Sequence, residues 1–168
     1  MNEIPKRKQI RIENYDYSTP GKYFITICTA NREKIFWNPL CANMLVESVD
    51  EDIRPRNVPL SPIGKIAEQG ILQISSHHKN IFVDKYCVMP DHIHMILRVC
   101  ADLDRRIISA PTLSTVVGSM KRWVSKQVGR PIWQKSFYDH GIRGEQDYNE
   151  IWKYIDNNPS KYILKNAP

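Results

Sequence analysis

The segment His92–Val99 (HIHMILRV) restricts the fold most, because apolar residues occupy every second position of this run. Successive side chains of a β-strand point to opposite faces of its sheet. One face of this predicted strand is fully apolar and consists of Ile93, Met95, Leu97 and Val99. The opposite face carries His92, His94, Ile96 and Arg98. We expect the apolar face to be covered by helices.

The patterns on both sides of this strand predict the order of the other elements. Residues 23–30 and 81–88 are rich in β-branched and aromatic residues and are predicted strands, and residues 133–138 are a candidate fourth strand. Helical spacing of apolar residues predicts helices over 62–75, 113–128 and 147–157. The last helix should end at Asn158, because the residue before a proline avoids helical geometry.

The first six elements match the ferredoxin-like split βαβ pattern, an α+β fold. We therefore expect a central antiparallel sheet with helices on one face and the other face free. The additional C-terminal helix carries Tyr154. A length of 168 residues predicts one domain over 1–168, with a basic N-terminal arm over 1–20 and a short tail over 160–168.

Composition and charge narrow the class of function. A hydrophobic content of 42% argues against disorder of the whole chain. The net charge of +6 favours a polyanionic partner. We find neither a signal peptide nor a membrane-spanning run, so we expect a cytoplasmic protein without a membrane partner. Cys28, Cys41, Cys87 and Cys100 match no zinc motif, and we expect Cys28, Cys87 and Cys100 to be buried thiols rather than disulfides.

Two pairs of residues are candidates for chemistry. His92 and His94 are successive residues of one strand face, so both imidazoles could reach one metal ion, although they could also be plain surface residues. Two histidines leave the coordination shell incomplete. Tyr154 and Asn158 are spaced i, i+4 and share a helix face, where Asn158 could offer an oxygen ligand beside the tyrosine. Equally, Tyr154 could be a packing residue and Asn158 a helix stop.

Several segments resemble one protein family. The run 89–96 (MPDHIHMI) is similar to the His-hydrophobic-His motif of single-tyrosine HUH transposases. The run 154–159 (YIDNNP) resembles the tyrosine motif of one branch, the REP-associated tyrosine transposases. Residues 15–18, 21–29 and 132–143 also resemble that branch, so that the resemblance extends over about residues 7 to 160.

The resemblance implies a role for each matched residue. His92 and His94 correspond to the metal pair, Tyr154 to the nucleophile and Asn158 to the third ligand, with magnesium or manganese as the ion. It also implies the ferredoxin-like fold. The implied activity is that of a transposase, a metal-dependent endonuclease and strand transferase. Its substrate would be single-stranded DNA with hairpin or palindromic repeats, cut through a 5′-phosphotyrosine intermediate.

Basic residues are candidates for holding this DNA. They are Lys6, Arg7, Lys8 and Arg11 in the arm, Lys121, Arg122, Lys126 and Arg130 on or after the long helix, and Lys135 and Arg143 beyond it. Trp133, Phe137 and Tyr138 could stack on unpaired bases or pack in the core.

Other functions and assemblies stay open on the sequence. The main alternative is a domesticated hairpin-DNA-binding protein without transposition activity. The others are a metal-dependent hydrolase that uses water instead of Tyr154, and a basic structural protein with incidental histidines. The chain could be a monomer, or a homodimer in which Tyr154 acts with the histidines of the partner subunit.

Overall fold

The computed structural model describes residues 19–38, 58–101 and 112–166. Four strands are present in these ranges: β1 (Gly21–Cys28), β2 (Ile81–Val88), β3 (His92–Val99) and β4 (Tyr138–Gly141). The helices are α1 (Pro62–Leu72), the short α2 (Ile74–His77), α3 (Leu113–Val128) and α4 (Gly144–Lys165), and a 3-10 turn spans Ala30–Arg32. The arm residues Lys6, Arg7, Lys8 and Arg11 and the thiol of Cys41 lie outside the described residues.

The strands form one antiparallel sheet in the order β2-β3-β1-β4. β1 and β3 pair along their whole length, from Gly21 opposite Val99 to Cys28 opposite His92. Each helical crossover between β1 and β2, and between β3 and β4, therefore skips one strand, which is the split βαβ arrangement. The predicted ferredoxin-like fold is confirmed.

The first face of the sheet packs against α1 and α3 and forms the core. All four predicted apolar residues of β3 are at most 4% exposed, and they join Tyr23, Ile25 and Ile27 of β1 in one hydrophobic cluster. Val116, Val117, Met120 and Val124 of α3 belong to the same cluster. α1 and α3 approach closely at Gly70, where an added Cβ would lie 2.6 Å from Val124 Cγ2. Because α1 and α3 occupy this face, the opposite face of the sheet remains for other functions.

The second face of the sheet is covered by α4, so the expectation of a free face is wrong. Phe24 of β1 contacts the Tyr154 ring, and Lys85 of β2 forms an ion pair with Asp156. The predicted end of the last helix is also wrong, because α4 continues through Pro159 to Lys165. Burial of Ile163 and the contact between the Tyr162 and Trp37 rings, with centroids 5.3 Å apart, outweigh the hydrogen bond that a proline removes.

The fourth strand starts where the prediction ended it. Trp133 forms a single bridge with Thr29, and the regular ladder with β1 begins at Tyr138. The aromatic residues that suggested a strand over 133–138 serve packing instead: the Trp133 indole donates to Lys121 O, and Phe137 is buried. Cys28, Cys87 and Cys100 are free thiols as expected, but they are half-buried rather than buried. No helix in the described ranges has the length and apolarity needed to cross a membrane.

Candidate active site

Two imidazoles and a phenol converge between β3 and α4. His92 Nε2 and His94 Nε2 are 3.0 Å apart, and the Tyr154 hydroxyl is 3.5 Å from His94 Nε2. The Tyr154 ring meets the His94 ring edge-on at a centroid distance of 5.3 Å. The structure therefore brings together three residues that are up to 62 positions apart in the chain.

Local structure explains this convergence. The alternation of β3 places both histidines on the face that α4 covers. On α4, Ile155 is 1% exposed and anchors the helix, while Lys85 Nζ lies 2.7 Å from Asp156 Oδ1. These two neighbours fix the rotation of the helix about its axis, so that Tyr154 faces the imidazoles. Tyr154 remains 46% exposed, which leaves its hydroxyl accessible to a substrate.

His92 is held by a carboxylate. Its Nδ1 donates to Asp91 Oδ1 over 2.6 Å, and the other oxygen of Asp91 lies 3.1 Å from Arg32 Nε. The backbone carbonyl of Asp91 accepts from both the amide and the hydroxyl of Thr29, each at 3.0 Å. Because a carboxylate only accepts, the proton is on Nδ1 and the Nε2 lone pair points toward His94.

His94 is held by a neutral group instead. Thr26 of β1 is directly opposite His94, and its hydroxyl lies 2.8 Å from His94 Nδ1. The Phe24 ring stacks on the imidazole with centroids 5.2 Å apart. His94 is 5% exposed, so both ring contacts are shielded from water.

Burial keeps both imidazoles neutral at physiological pH. Desolvation lowers the pKa of His94 to about 3, and the neighbouring charges of His92 and Arg32 act in the same direction. Desolvation also lowers the pKa of His92, although the hydrogen bond from its ring to Asp91 opposes this shift. Neutral imidazole is the form that binds metal ions.

The geometry of the pair fits two ligands of one ion. Two ligands about 2.1 Å from an octahedral ion and about 90° apart would be about 3.0 Å from each other, and the two Nε2 atoms are 3.0 Å apart. The described residues contain no cluster of three His, Cys, Asp or Glu side chains that could hold a metal. Further ligands would therefore have to be amide, hydroxyl or water oxygens.

Asn158 is available for this role. It lies one turn after Tyr154 on α4, and its Nδ2 is buried without a hydrogen-bond partner. Rotation of the amide by 180° exchanges nitrogen and oxygen without a change in shape. A buried side-chain amide group without a hydrogen-bond partner, on the same helix face as Tyr154, is consistent with an oxygen ligand for a metal ion.

Among the predicted DNA-binding residues that the structure describes, two are bound to other groups of the protein and four are exposed. Lys121 donates to the carbonyls of Gln134 and Ser136, over 2.5 and 3.3 Å, and burial lowers the pKa of its ammonium group. Arg130 forms a bidentate pair with Glu33 at 3.1 and 3.2 Å. Both side chains are thus engaged within the protein. The remaining predicted cations in the described ranges are exposed: Arg122, Lys126, Lys135 and Arg143.

The supporting residues of the site were not predicted. The sequence patterns assign no separate role to Asp91, Thr26, Phe24 or Arg32. The signal for Thr26 was its place on the alternate face of a strand, but the register between β1 and β3 is needed to bring it to His94. For Asp91, the adjacency to His92 in sequence was the available signal.

The fold and the site together define a class: a ferredoxin-like domain with a histidine pair on a central strand and a tyrosine on a following helix. Among solved structures, the chain is similar to a REP-associated tyrosine transposase bound to a REP hairpin. The TM-score is 0.59 at 20% identity, and the match covers 92% of this chain and 76% of that chain.

Sequence comparison agrees with this likeness. A Haemophilus influenzae protein provisionally described as a REP-associated tyrosine transposase is 29% identical over 94 residues, which are 49% of this chain and 53% of that protein. An uncharacterized protein of the same organism is 27% identical over 175 residues, covering 93% of this chain and 89% of that protein. No protein-family model matches the sequence. The resemblance to REP-associated tyrosine transposases that the motifs indicated is confirmed.

Proposed function

We propose that this protein is a tyrosine transposase that cuts and rejoins single-stranded DNA with a divalent metal ion, Mg²⁺ or Mn²⁺. The observation that carries the proposal is the position of the Tyr154 hydroxyl, which lies 3.5 Å from His94 Nε2. It is therefore beside two imidazoles whose spacing suits the binding of one ion. The nucleophile and the ion would share one site. A packing tyrosine would bury its ring, whereas Tyr154 is 46% exposed.

The chemical step that we propose is the one that the family resemblance implies. The oxygen of Tyr154 attacks the phosphorus of a phosphodiester in line, and the bond from phosphorus to the 3′ oxygen breaks. Tyr154 loses its proton as the new bond forms, and the departing 3′ oxygen gains one. The product is a 5′-phosphotyrosine link and a free 3′-hydroxyl. Attack by a second 3′-hydroxyl reverses the step and joins new ends, so no nucleotide cofactor is required.

The ion would be held by His92, His94 and Asn158. A divalent ion supplies Lewis-acid stabilisation of the charge that builds up on the phosphate oxygens. The surrounding residues fix the two rings in place before an ion binds. Asp91 contacts Nδ1 of His92, Thr26 contacts Nδ1 of His94, and Phe24 stacks on the His94 ring and shields it from water. Preorganised rings reduce the reorganisation needed when the ion binds.

The substrate we propose is hairpin DNA with an unpaired flank. The solved relative with this fold is bound to a REP hairpin. In this chain, the exposed cations Arg122, Lys126, Lys135 and Arg143 provide positive charge for phosphates. Tyr138, at 55% exposure, is an aromatic ring available for stacking on a base. Trp133 and Phe137 are largely packed and are poorer candidates.

The experiment is a denaturing-gel assay with end-labelled single-stranded hairpin DNA from the flanks of the gene. It compares Mg²⁺, Mn²⁺ and chelator for the wild type and for Tyr154→Phe. We expect a protein–DNA adduct that requires metal and disappears in Tyr154→Phe. Tyr148→Phe is the matched control, since it removes a hydroxyl from the same helix that contacts Asp84 rather than His94.

Two other outcomes would favour the alternatives. Cleavage without an adduct, unaffected by Tyr154→Phe, would indicate a hydrolase that uses water. Tight binding of the hairpin in a native gel, with neither cleavage nor adduct in the wild type, would indicate a domesticated DNA-binding protein. An adduct that persists in Tyr154→Phe would assign the nucleophile to another residue.

A further inference from the structure

The turn after β1 has an unfavourable backbone. Asn31 and Arg32 both have positive φ angles, of 52° and 58°, within the turn Ala30–Arg32. Residues with a Cβ atom rarely occupy this left-handed region, and a bulky arginine is disfavoured there. Backbone of this kind persists where the surrounding structure requires it. The position of the Arg32 side chain shows what this turn achieves.

The turn directs the Arg32 guanidinium at Asp91. Arg32 Nε lies 3.1 Å from Asp91 Oδ2, and Arg32 Nη1 donates to Cys28 Sγ over 2.8 Å. Two other residues also hold Asp91. Thr29 donates to its backbone carbonyl, and His92 Nδ1 donates to the other carboxylate oxygen. A continuous chain of contacts thus runs from Arg32 through Asp91 to His92.

The two histidines differ in how firmly their protonation pattern is set. A hydroxyl such as Thr26 Oγ1 can donate or accept, so it tolerates either tautomer of His94. A carboxylate only accepts, so Asp91 requires a proton on His92 Nδ1 and leaves Nε2 bare. Arg32 keeps the carboxylate in the orientation that makes this bond.

We propose that Arg32 and Asp91 are positioning residues that hold His92 in the tautomer with a bare Nε2. The left-handed backbone of the turn places the guanidinium beside the Asp91 carboxylate. The consequence for the ion rests on the proposed function: with Nε2 bare and aimed at His94, His92 is ready to accept a metal without a change of its own tautomer. Loss of a partner of this kind weakens metal affinity by about 10–100-fold in other metal sites.

The first readout does not depend on metal. The ¹⁵N shifts of the His92 ring, measured by long-range ¹H–¹⁵N NMR on the metal-free full chain, report which nitrogen carries the proton. We expect protonated Nδ1 and bare Nε2 in the wild type, and a mixture of tautomers in Asp91→Ala and Arg32→Gly. Asp91→Asn offers only one acceptor oxygen; because Arg32 only donates, it should take that oxygen, and the amide nitrogen that then faces His92 Nδ1 should move the ring proton to Nε2. Wild-type populations in both Asp91→Ala and Arg32→Gly would overturn the proposal.

A matched pair of variants isolates the guanidinium. Asn31→Gly and Arg32→Gly each replace one left-handed residue by glycine, but only the second removes the contact with Asp91. The second readout is the Mn²⁺ affinity of the full chain, from the EPR signal of free Mn²⁺. We expect unchanged affinity for Asn31→Gly, weaker binding for Arg32→Gly and 10–100-fold weaker binding for Asp91→Ala, on the order of other such sites.

The two readouts separate this proposal from the proposed function. Equal Mn²⁺ affinity in the wild type, Arg32→Gly and Asp91→Ala would refute positioning while leaving the transposase proposal intact. A wild type that fixes the His92 tautomer but binds no Mn²⁺ would support positioning and contradict metal-dependent catalysis. Equal loss of affinity in Asn31→Gly and Arg32→Gly would assign the effect to the turn and overturn the role of the guanidinium.

Discussion

Acid should destabilise this protein through one buried imidazole. His94 is 5% exposed, and desolvation lowers the pKa of its ring from 6.5 in the unfolded chain to about 3 in the fold. Below pH 6.5 the unfolded chain therefore binds a proton on His94 that the folded chain does not bind. The contribution of neutral His94 to stability is complete above pH 6.5 and is lost as the pH falls toward 3.

The size of the effect follows from the two pKa values. Each pH unit between them changes the free energy of unfolding by at most about 1.4 kcal/mol for one proton. Integration from pH 8 to pH 5 gives a loss of about 2 kcal/mol. That is a substantial part of the roughly 5–15 kcal/mol that stabilises a typical domain. It corresponds to a fall in Tm of about 4–8 °C for a chain of this size.

The assay is urea unfolding followed by circular dichroism at pH 8, 6.5 and 5, with chelator present to remove bound metal. His94→Gln lacks the titrating group, so the stability difference between the wild type and this variant should shrink by about 2 kcal/mol as the pH falls from 8 to 5. His77→Gln, at an exposed position on α2, is the control and should follow the wild type. A difference between the wild type and His94→Gln that is independent of pH would refute the reasoning.

Three further substitutions test the packing around the site. Thr26→Val removes the hydroxyl that holds the His94 ring and should reduce the free energy of unfolding by about 1–3 kcal/mol in urea titrations; unchanged stability would show that this contact is unimportant. Gly64→Ala places a Cβ against the backbone oxygen of Phe36 and should lower stability by about 1–3 kcal/mol, whereas a neutral result would contradict this close approach. Ile163→Ala should reduce stability by about 2–5 kcal/mol, and Leu164→Ala, at a 59% exposed position, by far less; equal effects would contradict packing of the last turns of α4.

Periodicity predicted the fold where local patterns and tertiary packing agree. The alternation of His92–Val99 and the helical spacing over Leu113–Val128 gave both elements with the observed bounds. Pro159 was a misleading signal, because the helix end that it predicts is overridden by the burial of Ile163 beyond it. The strand over 133–138 failed for a similar reason: Trp133 and Phe137 are aromatic for packing rather than for pairing.

The candidate site divides in the same way. The face shared by His92 and His94 is a property of one strand and could be predicted from sequence alone. The approach of Tyr154 depends on how α4 lies on the sheet, and only the family resemblance indicated it in advance. The contacts of Thr26 and Arg32 depend on strand register and on two left-handed residues, which no local pattern reveals.

The most direct test of the central claim is to identify the residue that becomes bonded to DNA. After reaction with hairpin DNA and Mn²⁺, nuclease and trypsin digestion should yield the peptide 154–161 (YIDNNPSK), in which Tyr154 is the sole tyrosine. The account predicts that mass spectrometry finds this peptide carrying a 5′-phosphonucleotide on Tyr154. Cleaved DNA with the peptide unmodified, or the nucleotide on a different residue, would contradict it.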